Sequence, residues 1–439
     1  MGDYADYPAI ELSFDASGKP DVGNFPADLV KFVTTGPAAH ATDLFVFSHG
    51  WNNTKAEAHD ELYLPFFKEL RLLMQDGRVP FRGRMPAVAA VYWPSKRFVP
   101  PASRQGLELG DPVADRLNAQ LDAIAELFPD PDGLAATQNA RDEIGNLDDG
   151  AAQDRFVAAI IKLAPADGFA DEGLDDAIAS VRSAQISGQD TLAAVRRATS
   201  AHASPPLPSD DLQEGGGLGL FSGITSAADS FLNIFTYYTM KQRAGVIGVT
   251  GLAPLLEAVM AARAVRIHLI GHSFGGRLVT AAASGLGHGI AVRSMSLLQA
   301  AYSHYGMAKN WDGGGADGAF RSVIGGKKVS DFILVTHSVH DSAVGRWYPI
   351  ASEIMKQAAS AVRAVSRWGG MGADGAQATP ETTDDTLLAT GTPYADFPAG
   401  KWVRNLNGDG PDPQIHEHGD VVKEEIVAAL MRHIDRYSH

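Results

Sequence analysis

The chain has 439 residues, 45% of them hydrophobic and 20% charged, which is the balance of a folded protein too long for one ordinary core. A formal net charge of −15 argues against a nucleic-acid partner, which calls for a basic patch or stripe. With no cysteine, the chain has no disulfide, thiolate metal site or cysteine nucleophile.

At the start of the chain, Asp3, Asp6, Glu11 and Asp15 break up any apolar leader, so a cytoplasmic protein is expected. The run DLFVFS at residues 43–48 ends in His-Gly, as a buried parallel strand entering a turn does. A helical pattern follows over residues 57–73. VAAVYW at 88–93 predicts a second strand, closed by Pro94. From about residue 101 to 244 the rhythm changes. Amphipathic pieces at 115–128, 151–163 and 174–184 are divided by loop markers such as Pro129-Asp130-Pro131-Asp132-Gly133. Between residues 101 and 214 stand 21 acidic and 8 basic residues, so this segment holds 13 of the 15 net negative charges. It reads as a separate helical insertion, its acidic surface solvated.

Residues 221–241 place Phe231, Ile234, Phe235 and Tyr238 at near-helical spacing, either as a lid over a greasy substrate or as a helix docking the insertion. Asn233, Thr236 and Thr239 interrupt this most apolar stretch, so no membrane span is expected. A helix over 252–263 leads to VRIHLI at 265–270, the third strand, and a helix over 275–285 follows. Further strands are expected at 294–299, 331–336 and, more weakly, 402–406, with helices at 344–368 and 421–437. Strands alternating with helices predict an α/β fold, a mostly parallel sheet covered on both faces.

Gly271-His272-Ser273-Phe274-Gly275 is a G-x-S-x-G motif set between a strand and a helix. Glycine neighbours let the chain turn sharply enough to present the serine at the corner. A serine hydroxyl is a weak nucleophile, so it needs a base and a site for an oxyanion. The candidate oxyanion donors are the backbone N–H groups of Trp51 and Phe274, with Asn52 adding a side-chain donor. His49 reads as a structural hydrogen-bonder, and His49, Asn52 and His272, which flanks the serine, are expected to border the substrate. The acid should follow a downstream strand, where Asp341 stands. Asp331 is at the wrong end of that strand, and Asp384 and Asp385 read as a polar loop. The base should precede the last helix, where His418 stands with His416 as the alternative and Asp420 as the expected helix cap. His416 and His418 beside Glu417 make a poor metal site, and no metal or cofactor is expected. His433 and His439 read as solvated. Trp347 and Tyr348 could line a pocket or pack the sheet.

In this order, Phe47-Ser48-His49-Gly50-Trp51, the Ser273 motif with Gly276, Asp341 and His418 resemble the α/β-hydrolase superfamily over residues 40–100 and 245–439. The resemblance implies a mixed, mostly parallel sheet, a Ser273–His418–Asp341 triad and a cap over the site. The insertion here precedes the nucleophile strand, whereas the family's cap often enters after it. Domains are therefore expected at 1–100 with 245–439 (catalytic) and at 101–244 (cap-like insertion). The expected activity is hydrolysis of a small-molecule carboxylic ester through an acyl-enzyme. The alternatives are a lipase or thioesterase, a peptidase or amidase, and a non-catalytic scaffold binding a partner through the insertion.

Overall fold

The computed structural model describes residues 3–95 except 22, 24 and 82, and then 112–164, 186–201, 218–341 and 369–438 except 411 and 412. Eight strands make one sheet: β1 (Ala9–Ser13), β2 (Asp43–Ser48), β3 (Pro86–Tyr92), β4 (Arg266–His272), β5 (Val292–Leu298), β6 (Val329–His337), β7 (Thr382–Thr386) and β8 (Val403–Asn407). Their order across the sheet is β1-β3-β2-β4-β5-β6-β8-β7. Every pairing is parallel. At the centre, Val46 of β2 sits between Ala89 and Leu269. The central strands are mainly apolar because helices cover both faces of a parallel sheet, and the polar side chains they bury, such as Asp43, His268 and Ser294, are hydrogen-bonded.

Two buried cores follow from the period-two alternation of the strands. Leu44, Val46, Ala89, Leu269 and Val335 face one core, and Phe45, Phe47, Ile270 and Leu334 face the other. The second core is closed by a helical run, α2 (55–75), and by the terminal helix. The first is covered by α1 (Phe25–Thr34) and by the helices that separate β3 from β4. These are α3 (Pro112–Leu127), α4 (Pro131–Glu143), α5 (Gly150–Ile161), α6 (Gly188–Ala201), α7 (Leu218–Val246) and α8 (Ala253–Ala262). Leu117, Phe156 and Leu192 from this insertion lie in the same buried cluster as the sheet's own Leu44 and Leu269. Phe231, Ile234, Phe235 and Tyr238 of α7 are all buried in that cluster, with Phe231 against Phe156 and Phe235 against Phe128. The helical run Gly223–Ala262 is long and apolar enough to cross a membrane, although the polar interruptions predicted otherwise; its most apolar stretch is 56% buried within the protein. A π-turn at Ile247–Leu252, ahead of Pro254, joins α7 to α8.

Several elements depart from the sequence expectations. β1, α1 and α6 were not anticipated. The loop marker at 129–133 starts a helix instead: the Asp130 carboxylate accepts from Asp132 N–H (3.1 Å) and Gly133 N–H (2.9 Å), and Pro131 occupies the first turn. Asp384 and Asp385 are on β7, an edge strand, where Asp384 accepts from Asn405 Nδ2 at 2.8 Å. The expected helices at 174–184 and 344–368, and with them Trp347, Tyr348 and His439, lie outside the described residues.

At the amino end of the sheet the carboxylate of Asp43 is fully buried and receives Thr42 (2.6 Å), Arg84 (2.8 Å), Arg266 (2.9 Å) and His268 (3.0 Å). Burial alone would raise its pKa, but the bonds from His268, Arg266 and Thr42 outweigh it and hold the carboxyl well below the usual range. Arg84 also donates to the carbonyls of Ile434 and Ser438, tying the end of the chain to β2.

Candidate active site

Parallel sheets open a crevice where neighbouring strands send their onward connections to opposite faces. Here that place lies between β2 and β4. The connection from β2 runs through α2 on one face, and that from β4 runs through α9 (Phe274–Gly285) on the other. The sequence-predicted residues lie around this crevice, at the carboxyl ends of β2, β4, β6 and β8.

Ser273 closes β4 and caps α9 with φ 57° and ψ −125°, a backbone state that costs a non-glycine residue about 1–3 kcal/mol. Three hydrogen bonds hold it there. Its N–H donates to Leu298 O (3.1 Å), and its carbonyl accepts from Gly276 N–H and Ala301 N–H, both at 3.0 Å. The corner needs bare backbone around it. A Cβ on Gly271 would overlap the carbonyl of Gly275, and one on Gly275 would overlap that of Ser48. Phe274 is the first residue of α9, so its N–H has no acceptor four residues back in the helix.

The turn after β2 packs directly on the serine: a Cβ on Gly50 would stand 2.7 Å from Ser273 Cβ. His49 is buried, and its ring is engaged by the protein, with Nδ1 at 2.8 Å from Gly50 O and Nε2 at 3.4 Å from Trp93 N. It also stacks on the Trp93 indole at 5.7 Å. Burial pushes its pKa down to about 4, against a weaker upward pull from the Gly50 carbonyl, so the ring is neutral. His49 therefore braces the turn. Asn52 has a left-handed φ of 66° and an exposed side chain, while its N–H donates to Ser95 O at 2.8 Å. The side chain that organises the turn is that of Asn53, whose Nδ2 donates to Trp51 O (3.0 Å) and Gly50 O (3.3 Å). Holding those carbonyls to one side turns the flanking N–H groups to the other. The Trp51 ring meets Phe274 at 6.0 Å and Tyr237 of α7 at 5.8 Å, and Tyr237 meets Phe274 at 4.7 Å. These three rings join the insertion to the turn after β2 and to the start of α9.

Asp341 lies just past β6, buried, with its N–H on Ser338 O at 3.0 Å. His418 Nδ1 is 2.9 and 3.0 Å from the two Asp341 carboxylate oxygens, across a sequence separation of 77. His416 points elsewhere, to Asp420 (3.3 Å) and Lys423 (2.9 Å). His272 Nε2 donates to the His418 carbonyl (3.0 Å), and the two rings lie 4.9 Å apart. Burial, with the nearby His418 adding to it, pushes the His272 pKa down to about 3, so this support is uncharged. Among the described residues neither Ser273 Oγ nor His418 Nε2 makes a hydrogen bond to a protein group. Nor do three His, Asp or Glu side chains converge there as metal ligands.

Two residues of the carboxy-terminal segment differ from expectation. Asp420 does not cap the last helix, α10 (Glu424–Tyr437), which starts three residues later than predicted; its carboxylate accepts His416 N–H at 2.7 Å and closes the loop bearing His418. His433 is not solvated but buried, donating from Nδ1 to Ala429 O (2.7 Å) and accepting from Arg404 at Nε2 (3.0 Å).

Sequence reasoning missed Asn53, Tyr237, Gln299 and Asp409. Asp409 accepts from Ser338 Oγ (2.6 Å) and Val339 N–H (3.2 Å), fixing the turn that leads to Asp341. Its signal was present: the Asn407-Gly408-Asp409-Gly410 run is a turn at the end of a strand. Comparison with protein-family models, with curated proteins and with solved structures gives no match.

Proposed function

We propose that the protein is a serine hydrolase of the α/β-hydrolase type that cleaves small carboxylic esters through an acyl-enzyme. One observation carries the reading: a serine held in a strained corner shares one end of a parallel sheet with a buried carboxylate that grips a histidine ring. In this reading His418 Nε2 takes the Ser273 proton as Oγ attacks the ester carbonyl. Asp341 keeps the proton of His418 on Nδ1 and balances the imidazolium, and the Trp51 and Phe274 N–H groups receive the oxyanion. The tetrahedral adduct collapses, and the alcohol leaves with the proton from His418. Water, deprotonated by the same ring, then frees the acid. Residues 1–100 and 245–439 form the catalytic unit and 101–244 the insertion, whose Tyr237 joins Trp51 and Phe274 as an apolar wall for the substrate.

The test is hydrolysis of p-nitrophenyl acetate, butyrate and decanoate by the wild type and by Ser273→Ala. Turnover by the wild type should fall by roughly 10⁴–10⁶-fold in the variant, and turnover that survives the substitution overturns the assignment. A rise in kcat/KM toward decanoate would favour a lipase or thioesterase. A second reading, a hydrolase-fold scaffold, draws on the missing hydrogen bond between Ser273 Oγ and His418 Nε2. It predicts no labelling of Ser273 by a fluorophosphonate, whereas the enzyme reading expects stoichiometric labelling, the hydrogen bond tightening only when substrate is present.

A further inference from the structure

We infer that Gln299 is the positioning residue that sets the height of His418 over the strand ends, an inference that rests on the serine-hydrolase reading. Gln299 follows β5, between the strand that carries Ser273 and the strand that leads to Asp341. It is fully buried, and its φ of 42° places it in the left-handed region that a side-chain-bearing residue rarely adopts.

Each polar atom of its side chain is committed. Nε2 donates to the carbonyl of Asp420 at 2.9 Å, two residues beyond His418. Oε1 accepts from Thr336 Oγ1 at 2.5 Å, and the Gln299 N–H donates back to the same Oγ1 at 3.2 Å. The left-handed turn aims the amide across the strand ends at the loop bearing His418. The Asp420 carbonyl, which can only accept, fixes Nε2 as the donor end and leaves Oε1 to accept the Thr336 hydroxyl proton. On the other side, a Cβ on Gly372 would stand 2.7 Å from the Gln299 carbonyl carbon and 2.6 Å from Asp341 Oδ2. One residue thus abuts both the Gln299 backbone and the acid, while the Gln299 side chain anchors the loop of the base. A buried amide with fixed polarity resists rotation better than the apolar contacts of a mobile loop, since any other rotamer leaves Thr336 or Asp420 unpaired.

The experiment compares Gln299→Met, Thr336→Val and Thr336→Ser with the wild type. Gln299→Met keeps the side-chain length and removes both hydrogen bonds. Steady-state ester hydrolysis, thermal melting and the ¹⁵N signals of the His418 ring in selectively labelled protein, assigned with His418→Gln, are measured on each. For Gln299→Met, kcat should fall about 10–100-fold with KM within a factor of two, and the His418 ring signals should move. Thr336→Val should show a smaller loss of the same kind, adding little when combined with Gln299→Met, and Thr336→Ser should behave as wild type. Unchanged His418 signals in folded Gln299→Met overturn the inference, as does a fall in melting temperature with kcat intact. If Gln299→Met does not fold, the contrast between Thr336→Val and Thr336→Ser decides in its place. A wild type that neither turns over esters nor reacts with a fluorophosphonate refutes the hydrolase reading instead, and the His418 signals still decide whether Gln299 holds the loop.

Discussion

Asp341 offers both carboxylate oxygens to one ring nitrogen, so Asp341→Asn tests the acid without changing its size. An amide there presents at best one acceptor and favours the wrong tautomer of His418. Under the proposed mechanism kcat should fall roughly 10³–10⁴-fold, with the melting temperature held within a few degrees. Steady-state kinetics and a thermal melt check it, and a loss below tenfold argues against the pairing. Gly275→Ala tests the corner itself, because the added methyl would overlap the Ser48 carbonyl. Overpacking of this kind costs about 1–3 kcal/mol, read as a lower urea midpoint. Ser273 was legible in the sequence because its motif is local: strand, glycines, serine and helix are contiguous. Asn53 and Gln299 were not. Their partners are backbone carbonyls, of Gly50 and Trp51 in one case and of Asp420 in the other, and a carbonyl has no identity in sequence. Asn52 and Asn53 are indistinguishable by type, and only the left-handed φ of Asn52 decides which one faces inward.

The central strands were readable because burial on both faces makes them predominantly apolar, with few polar residues among them. β2, β3, β4, β5 and β6 fall within a few residues of their expected spans. The edges were not readable for the opposite reason. β7 reads TTDDT, polar on both faces as an outer strand can be, and β1 has only five residues. α7 shows where helical periodicity stops short. Its aromatic spacing fits a lid and a core helix equally, and only the buried contacts of Phe231 and Phe235 choose the core. Phe235→Ala should accordingly destabilise the protein by about 3–5 kcal/mol, measured by chemical unfolding. Tyr237→Ala, two residues on, faces the crevice rings. Tyr237 is buried like Phe235, so its truncation should also destabilise the protein; under the proposed mechanism KM for butyrate should rise as well, and an unchanged KM in the folded variant would remove α7 from the site.

Across the molecule, buried neutral histidines make stability depend on pH. Burial holds His49 and His433 at about 4 and His272 at about 3, against 6.5 for an ordinary histidine. Between pH 6.5 and 4 the unfolded chain binds protons at these rings and the folded chain does not. Stability is therefore complete above pH 6.5 and declines as the pH falls through that window, by up to about 1.4 kcal/mol per pH unit for each ring. The urea midpoint should be clearly lower at pH 5 than at pH 7.5. His433→Gln keeps an acceptor for Arg404 and removes one titrating ring, so it should flatten this dependence; an unaltered slope would mean that His433 is protonated in the folded state.

The strand order also dictates what the ribosome must wait for. β2 pairs with β3 on one side and with β4 on the other, and β4 begins at residue 266. Once residues 43–92 emerge, β1, β3 and β2 can align, but the far edge of β2, Leu44-Phe45-Val46-Phe47, has no partner until the whole insertion has been made. At about 5–20 residues per second that is roughly 10–40 s of exposure for a flat apolar edge. The acidic insertion is synthesised during this interval, and like-charge repulsion from its 13 excess negative charges is expected to oppose association of neighbouring nascent chains while the edge is bare. A charge-neutral version of the insertion would then cost soluble yield during synthesis while leaving the melting temperature of the protein that does fold unchanged.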